Sequence, residues 1–452
     1  MPNSRRPRPI RLLTLGLAMA PLLDACALYH AAPLDETAGR PLASLTVPAA
    51  TALPGGGRVH AFDATDGLDA TEVAMVAVVY SPQLRILRAQ AAVGKAQAFA
   101  AGLLPDPVFG LSRDQPSTGQ VGASTAYTRG VSWDFGQLVT YGARQSARGH
   151  TDEQVHLDVL WGEWQVVSQS RLLFVRIQRG RALVERLEKE TEVLRPFQPR
   201  LAAALRQGTL TFDVATTGLT AASDVARQLS DARTSLSTAE HDLRELLGLG
   251  ADEPLRLVGD GEPPALSEAD VYVALSASPP RRPDLRALHE GYAAQDARLR
   301  AAILGQFPMV NFGINRSRDN SNISSSGFTL SVSLPIFDRN QGAVRIEQAT
   351  REQLNAEYSQ RLLAAHSDVS RLLAAEKILL DREATLAPYA KDLATTVEHA
   401  ERAYAKGLMD WTTYLGLRQS ALAADVELVG VRLLLAETRI GLATLATGDW
   451  PA

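Results

Sequence analysis

The chain has 452 residues, 46 of them Lys or Arg and 50 Asp or Glu, for a formal charge of −4. Hydrophobic residues make up 46% and charged residues 21%, which excludes a chain disordered throughout. The balanced charge leaves no footprint for nucleic acid, and the single cysteine excludes both an internal disulfide framework and a zinc site of several thiolates.

At the N-terminus, Arg5, Arg6, Arg8 and Arg11 precede the mostly apolar run 12–23, the order of a secretory signal. That run is too short to span a bilayer as a helix, which takes about 20 residues. Leu23-Asp24-Ala25-Cys26 resembles a bacterial lipobox, in which the cysteine is acylated and becomes the new N-terminus, although Asp24 departs from the small residue usual there. Ala25-Cys26-Ala27 also fits a small-x-small site with ordinary cleavage after Ala27, so both processing routes stay open. The expectation is a signal peptide over 1–25, a lipid anchor at Cys26 and an exported protein. Loss of 1–25 takes the charge to −7. Residues 26–70, with Gly55-Gly56-Gly57 and scattered prolines, read as an irregular lead-in.

The chain then repeats itself once. Ser81-Pro82-Gln83-Leu84-Arg85 recurs as Arg282-Pro283-Asp284-Leu285-Arg286, and Leu103-Leu104-Pro105-Asp106-Pro107 has a counterpart in Gln306-Phe307-Pro308-Met309-Val310. Leu205-Arg206-Gln207-Gly208 matches Tyr404-Ala405-Lys406-Gly407. The shifts of 201, 203 and 199 residues define two copies of one unit, 71–250 and 281–447. A connector rich in Gly, Pro and acidic residues, 251–280, separates them, and a short tail, 448–452, follows.

Each copy shows the order helix, two strands, very long helix, turn, long helix. Helices are predicted over about 71–102, 138–207 and 212–248 in the first copy, and about 283–305, 340–406 and 410–446 in the second. A helix of about 66 residues would be roughly 100 Å long, with Pro196, Pro199 and Pro388 expected to kink or break it. The last helix of each copy carries coiled-coil spacing. Ala222, Leu229, Leu236 and Leu243 recur every seven residues with Val225, Ala232, Ala239 and Leu246 between them. Val426, Leu433 and Ile440 alternate in the same way with Leu422, Val429, Ala436 and Ala443. Abundant alanine lets such helices approach closely.

The strand segments alternate. Tyr127, Val131, Trp133 and Phe135 share one face, interrupted by Arg129, and oppose Thr128, Gly130, Ser132 and Asp134. Val310, Phe312 and Ile314 oppose Asn311, Gly313 and Asn315; Phe328, Leu330, Val332, Leu334 and Ile336 oppose Thr329, Ser331 and Ser333. About ten residues with one apolar and one small polar face suit a transmembrane barrel strand, although any half-buried antiparallel strand alternates too. The intervening stretches 113–126 and 316–327 are polar and read as loops.

Taken together, these pieces resemble the TolC-type outer-membrane efflux proteins over nearly the whole mature chain. The matching segments are Ser81-Pro82-Gln83-Leu84, Leu104-Pro105-Asp106-Pro107, the turns after Gly208 and Gly407, and Ser333-Leu334-Pro335-Ile336-Phe337-Asp338-Arg339-Asn340-Gln341-Gly342. The last looks most like the outer-membrane subunits of cobalt–zinc–cadmium-type heavy-metal efflux systems. The resemblance implies a mostly α fold with a transmembrane β portion, in which a homotrimer closes a twelve-stranded β-barrel in outer-membrane lipid. A periplasmic α-helical coiled-coil barrel continues it. It implies a passive duct that docks a periplasmic adaptor (membrane fusion) protein and an inner-membrane, proton-driven pump, with no cofactor.

By the same resemblance, Gly208 and Gly407 mark the periplasmic tip turns, beyond which acidic residues can ring the entrance. Asp213, five after Gly208, and Asp410, three after Gly407, do not reproduce the family's offset, and either serves equally as a helix N-cap. The eight histidines show no metal-ligand spacing; His150 and His156 fall on different helix faces. No P-loop, G-x-S-x-G or H-E-x-x-H occurs, so an enzyme is not expected. The competing readings are a periplasmic coiled-coil adaptor lipoprotein, a drug-type rather than metal-type channel, and a soluble exported enzyme.

Overall fold

The computed structural model describes residues 29–34, 36, 39–48, 62–117, 122, 124–209, 211–277 and 281–447. The predicted signal segment 1–25, Cys26 and Gly55-Gly56-Gly57 lie outside them. Residues 1–38 form one unit and 39–452 a second, which carries every element named below. In chain order these are α1 (Ala70–Tyr80), α2 (Pro82–Ala101), β1 (Val108–Asp114), β2 (Ala126–Asp134), α3 (Gly136–Leu194), α4 (Phe197–Arg206) and α5 (Phe212–Leu247). The second half adds α6 (Glu268–Ser276), α7 (Pro283–Leu304), β3 (Met309–Arg318), β4 (Ser324–Ser333), α8 (Gln341–Ala405) and α9 (Trp411–Leu442).

The helix expected over 71–102 is in fact two. Asp69 opens α1 with a capping box: its carboxylate accepts the Thr71 and Glu72 N–H groups at 2.7 Å each, and Glu72 accepts the Asp69 N–H at 3.0 Å. Pro82 then ends it, because a residue before proline is driven out of the α region; Ser81 has ψ 123°. The second copy repeats the device, with α6 stopping short of the extended residue Arg282 and Pro283 opening α7. Helix α6 lies inside 251–280, the expected connector. Nine residues flanked by Gly and Pro carry little periodic signal, yet Val271 and Leu275, one turn apart, are buried against Val369 and Leu442.

The helix expected over 138–207 is likewise broken at Arg195-Pro196, giving α3 of 59 residues and α4 of 10. Pro199 sits in the first turn of α4, where its missing N–H has no partner to lose. By contrast α8 runs for 65 residues, roughly 100 Å, without a break at Pro388. Leu386, Ala387 and Ala390 bracket that proline and pack on Ala424 and Leu428 of α9, which holds the helix through the lost hydrogen bond.

Apolar on every side, α1 is buried on every side: Val73, Val76 and Ala77 meet Leu84, Phe174, Ile177, Leu243 and Leu247 in the main core. The predicted seams follow from there. Ala222, Val225, Leu229 and Ala232 pack with Leu187 and Leu194 of α3, while Ala436, Ile440 and Ala443 join the cluster around Val167. The lead-in is pinned by short parallel bridges, Arg40 to Leu249 and Leu68 to Leu257.

Each copy contributes one hairpin to a single antiparallel sheet, ordered β1-β2-β3-β4. Strands β3 and β4 reach further than expected, through Arg318 and from Ser324; the polar residues of 316–327 hide these strand ends in the sequence. The turn between them is short and tied by Asp319, whose carboxylate accepts the Ser321 and Ile323 N–H groups at 2.9 Å each. Strand β4 ends at Ser333, so Leu334 and Ile336 lie beyond it; Pro335 cannot continue a ladder. Phe135, expected on the strand, caps α3, although its N–H still donates to Val310 O at 2.9 Å.

Candidate functional site

Two regions have the makings of a site. The first is the sheet. Its cross-strand register sets Phe109 beside Val131, Ile314 and Phe328, then Trp133 beside Phe312 and Leu330, then Val310 beside Val332. All lie on one face, and they stay exposed: Phe109 at 67%, Ile314 at 59%, Phe328 at 74%. An apolar face this large marks a membrane or a protein partner. Near the helices its rings meet edge to edge, Trp133 to Phe135 at 4.9 Å and Phe135 to Phe312 at 6.4 Å, while Trp133 Nε1 donates to Pro105 O at 2.7 Å. That is an aromatic rim with a polar handle, suited to a membrane–water boundary.

The opposite face carries Gly110, Thr128, Gly130, Ser132, Asn311, Gly313, Asn315 and Thr329. It is small and polar, with a Ser317–Ser325 hydroxyl pair at 2.7 Å. Such a face can border water. Both edge strands, β1 and β4, have one side unpaired among the described residues.

The second region is the far end of the long helices. Gly208 and Gly407 have φ of +67° and +71°, and the two turns are built alike. In the first, the Gly208 N–H donates to Leu205 O and the Thr209 N–H to Ala204 O, both at 3.1 Å; in the second, Gly407 donates to Tyr404 O and Leu408 to Ala403 O, both at 2.9 Å. This is the same glycine-closed helix end twice, at the 199-residue shift seen in the sequence. A Cβ at either glycine would meet open space, so the left-handed backbone alone selects glycine there.

The two acidic candidates part company. Asp410 is the N-cap of α9: it accepts the Thr413 N–H at 2.9 Å and the Thr412 and Thr413 hydroxyls at 2.8 and 2.6 Å. Those bonds, Thr413's first, hold its carboxyl down at about 2. Thr211 holds the N-cap position of α5, and Asp213 falls in the first turn of that helix.

Above the turns, rings from both hairpins pack together: Phe197 on Trp411 at 4.2 Å, and Tyr404 stacked on Tyr414 at 5.0 Å. One turn further, Arg418 of α9 makes a bidentate pair with Glu190 of α3, with Nε to Oε1 at 3.0 Å, and its Nη1 donates to the Tyr414 hydroxyl at 3.0 Å. Arg186–Asp425 and Arg176–Glu437 continue the same α3–α9 line. The partners lie more than 200 residues apart in sequence, so no local pattern announces them.

The repeat marker Arg282–Arg286 also gains a role. Asp284 accepts from Arg282 at 3.0 and 2.7 Å and from Arg361 of α8 at 2.8 Å, and both guanidiniums lie over Trp161 of α3 at 5.5 and 5.7 Å. Burial pushes the Asp284 carboxyl up, but Arg282 and then Arg361 outweigh it and hold it below the usual carboxylate range. His150 is engaged structurally, 2.7 Å from Glu290 of α7. Among the described residues no group of three His, Cys, Asp or Glu could hold a metal, and no helix is long and apolar enough to cross a membrane.

The fold is that of the TolC-type outer-membrane channels. Its backbone superposes on the crystal structure of CusC with a TM-score of 0.66 over 93% of this chain and 99% of that one, at 18% identity. On the outer-membrane channel OprN the score is 0.70 over 94% and 100%, at 16% identity. Residues 275–448 match the family described as Outer membrane efflux protein. Among characterised proteins, the chain is similar to the probable outer membrane lipoprotein SilC of Salmonella typhimurium and the cation efflux system protein CusC of Escherichia coli, each 26% identical over 180 residues. It is also 27% identical over 180 residues to the pyoverdine export outer membrane protein OpmQ of Pseudomonas putida. These matches take in 38% of this chain and 38 to 39% of each relative, about two fifths of their length. Its resemblance is thus to outer-membrane proteins, a cation efflux system protein and an outer membrane lipoprotein among them.

Proposed function

We propose that the protein is the outer-membrane duct of a tripartite efflux system. The observation that carries this reading is a four-stranded sheet whose apolar face is exposed and whose two edges are unpaired. Open edges are not tolerated in lipid, and four strands are too few to close. Three copies give twelve strands, enough for a barrel with a water-filled interior lined by the Gly, Ser, Thr and Asn face. The two repeats, 71–250 and 281–447, would each supply a hairpin to that barrel and a helical pair to the periplasmic tube. The Gly208 and Gly407 turns are the docking points for an adaptor, which couples the duct to a proton-driven inner-membrane pump.

Asp410 stays ionised throughout the physiological range, and three copies at the entrance would favour cations over anions. Asp213 is a second entrance candidate, and opening of the tube would break the Glu190–Arg418 pair. Cys26 is the proposed lipid anchor after removal of 1–25, supported by the lipoprotein relative SilC. The duct has no catalytic residue and needs no cofactor. Heavy-metal cations are the proposed cargo, on the similarity to a cation efflux protein. Similarity to a pyoverdine exporter favours an organic cargo instead.

The test is fractionation followed by efflux. A duct appears as heat-resistant trimers in the outer-membrane fraction, conducts ions in planar bilayers, and sensitises its host to cobalt, zinc or cadmium when deleted. Sensitivity to organic toxicants alone would select the second cargo. A monomeric, non-conducting periplasmic protein would overturn the reading.

A further inference from the structure

The apolar face of the sheet does not end in neutral residues. In the two rows next to the loops the register places Leu111, Arg129 and Arg316 side by side, then Arg113, Tyr127 and Arg318. All four arginines are exposed, and none has a carboxylate partner among the described residues. Arg113 lies over the Tyr127 ring at 5.9 Å. Arg129 and Arg316 are direct cross-strand partners, an arrangement that destabilises a sheet unless an anion sits between them.

We propose that this basic band binds the phosphate groups of outer-leaflet lipid, a phosphorylated glycolipid of the lipid A type. The proposal rests on the duct reading, which puts the loop end of the sheet at the outer leaflet. Geometry fits that depth. From Val310 to Arg318 is eight steps along β3, about 27 Å along the strand. At a tilt of about 40° that is about 21 Å of height, close to the ~25 Å apolar band of such barrels. Phe328, Leu330 and Val332 therefore lie at acyl-chain depth and the guanidiniums at headgroup depth. Planar guanidinium groups bind phosphate bidentately. Closure by three copies would multiply four arginines into a continuous ring.

The test uses full-length trimer extracted from outer membranes, stripped in detergent and loaded with lipid A, and reads lipid A retained per trimer after gel filtration. With each basic residue at a membrane surface contributing as it commonly does, Arg129→Gln/Arg316→Gln should lower retention about 30-fold. Arg113→Gln/Arg318→Gln, at the loop end and outside the apolar rows, should lower retention too, which keeps the test readable where the first pair hinders assembly. Lys377→Gln, on α8 far from the sheet, should change nothing. Monophosphorylated lipid A should be retained less than the diphosphorylated form. Unchanged retention in both arginine pairs, or displacement of lipid A by inorganic phosphate at equal concentration, overturns the proposal alone. Absence of the wild-type chain from the outer-membrane fraction overturns the duct reading and this proposal with it.

Discussion

Substituting Asp284 by Ala removes the one carboxylate shared by Arg282 and Arg361. The two arginines differ sharply in exposure: the Arg282 side chain is 4% exposed and that of Arg361 43%. Without Asp284, Arg361 can turn to solvent, but Arg282 keeps only a long contact to Leu445 O, 3.4 Å, and the Trp161 ring. An uncompensated buried charge costs about 3–5 kcal/mol, and a half-exposed pair contributes at most about 1 kcal/mol. Asp284→Ala should therefore destabilise by about 3–5 kcal/mol and Arg361→Ala by about 1 or less. The double variant Arg282→Met/Asp284→Leu, which removes charge and partner together, should recover most of the loss. The assay is a urea titration of the detergent-solubilised protein followed by far-ultraviolet circular dichroism. Because the folded Asp284 carboxyl lies below its unfolded value of about 4, its stabilisation is complete above that pH and is lost as pH falls through the folded value. The gap between wild type and Asp284→Ala should thus close only in acid, below about pH 4. Equal costs for Asp284→Ala and Arg361→Ala, or a gap that persists in acid, would refute the argument.

Three other outcomes follow from geometry already described. Leu330→Arg places a charge in the middle of the apolar face and should cost about 2–4 kcal/mol per subunit, visible as lost trimer on unheated gels, whereas Ser331→Arg on the polar face should assemble better; equal assembly would refute the register. Gly407→Val forces a β-branched residue to φ +71°, at about 1–2 kcal/mol, and should leave trimers intact while abolishing efflux if the turn docks an adaptor. Arg418→Ala unpairs Glu190 and should raise single-channel conductance in planar bilayers, with unchanged conductance removing the pair from any part in closure.

Much of the fold was legible because its punctuation is local. Gly208 and Gly407 announce themselves in sequence, and the heptad positions named for the last helix of each copy, Val429 aside, lie in or against a buried cluster. The hidden parts are local too: the apolar pattern continues across the break at Ser81-Pro82 and masks it, and the Gly- and Pro-rich surroundings of α6 conceal its short helical pattern. Strand ends were hidden for a different reason. Arg316 and Arg318 look like loop residues, and only the register reveals that they extend a strand face. At the tip, the Asp410 cap could be anticipated from its place before α9. The Glu190–Arg418 pair could not, because 228 residues separate its halves.

The two unpaired strand edges carry a genetic consequence. If lipid admits only the closed ring, one subunit with a defective β1 or β4 leaves two good neighbours without a seam to join. In a cell making equal amounts of intact and edge-defective chains, roughly one ring in eight would be wholly intact under random assembly. Edge mutations should therefore behave as dominant negatives, while lesions in solvent-facing helical positions should be recessive.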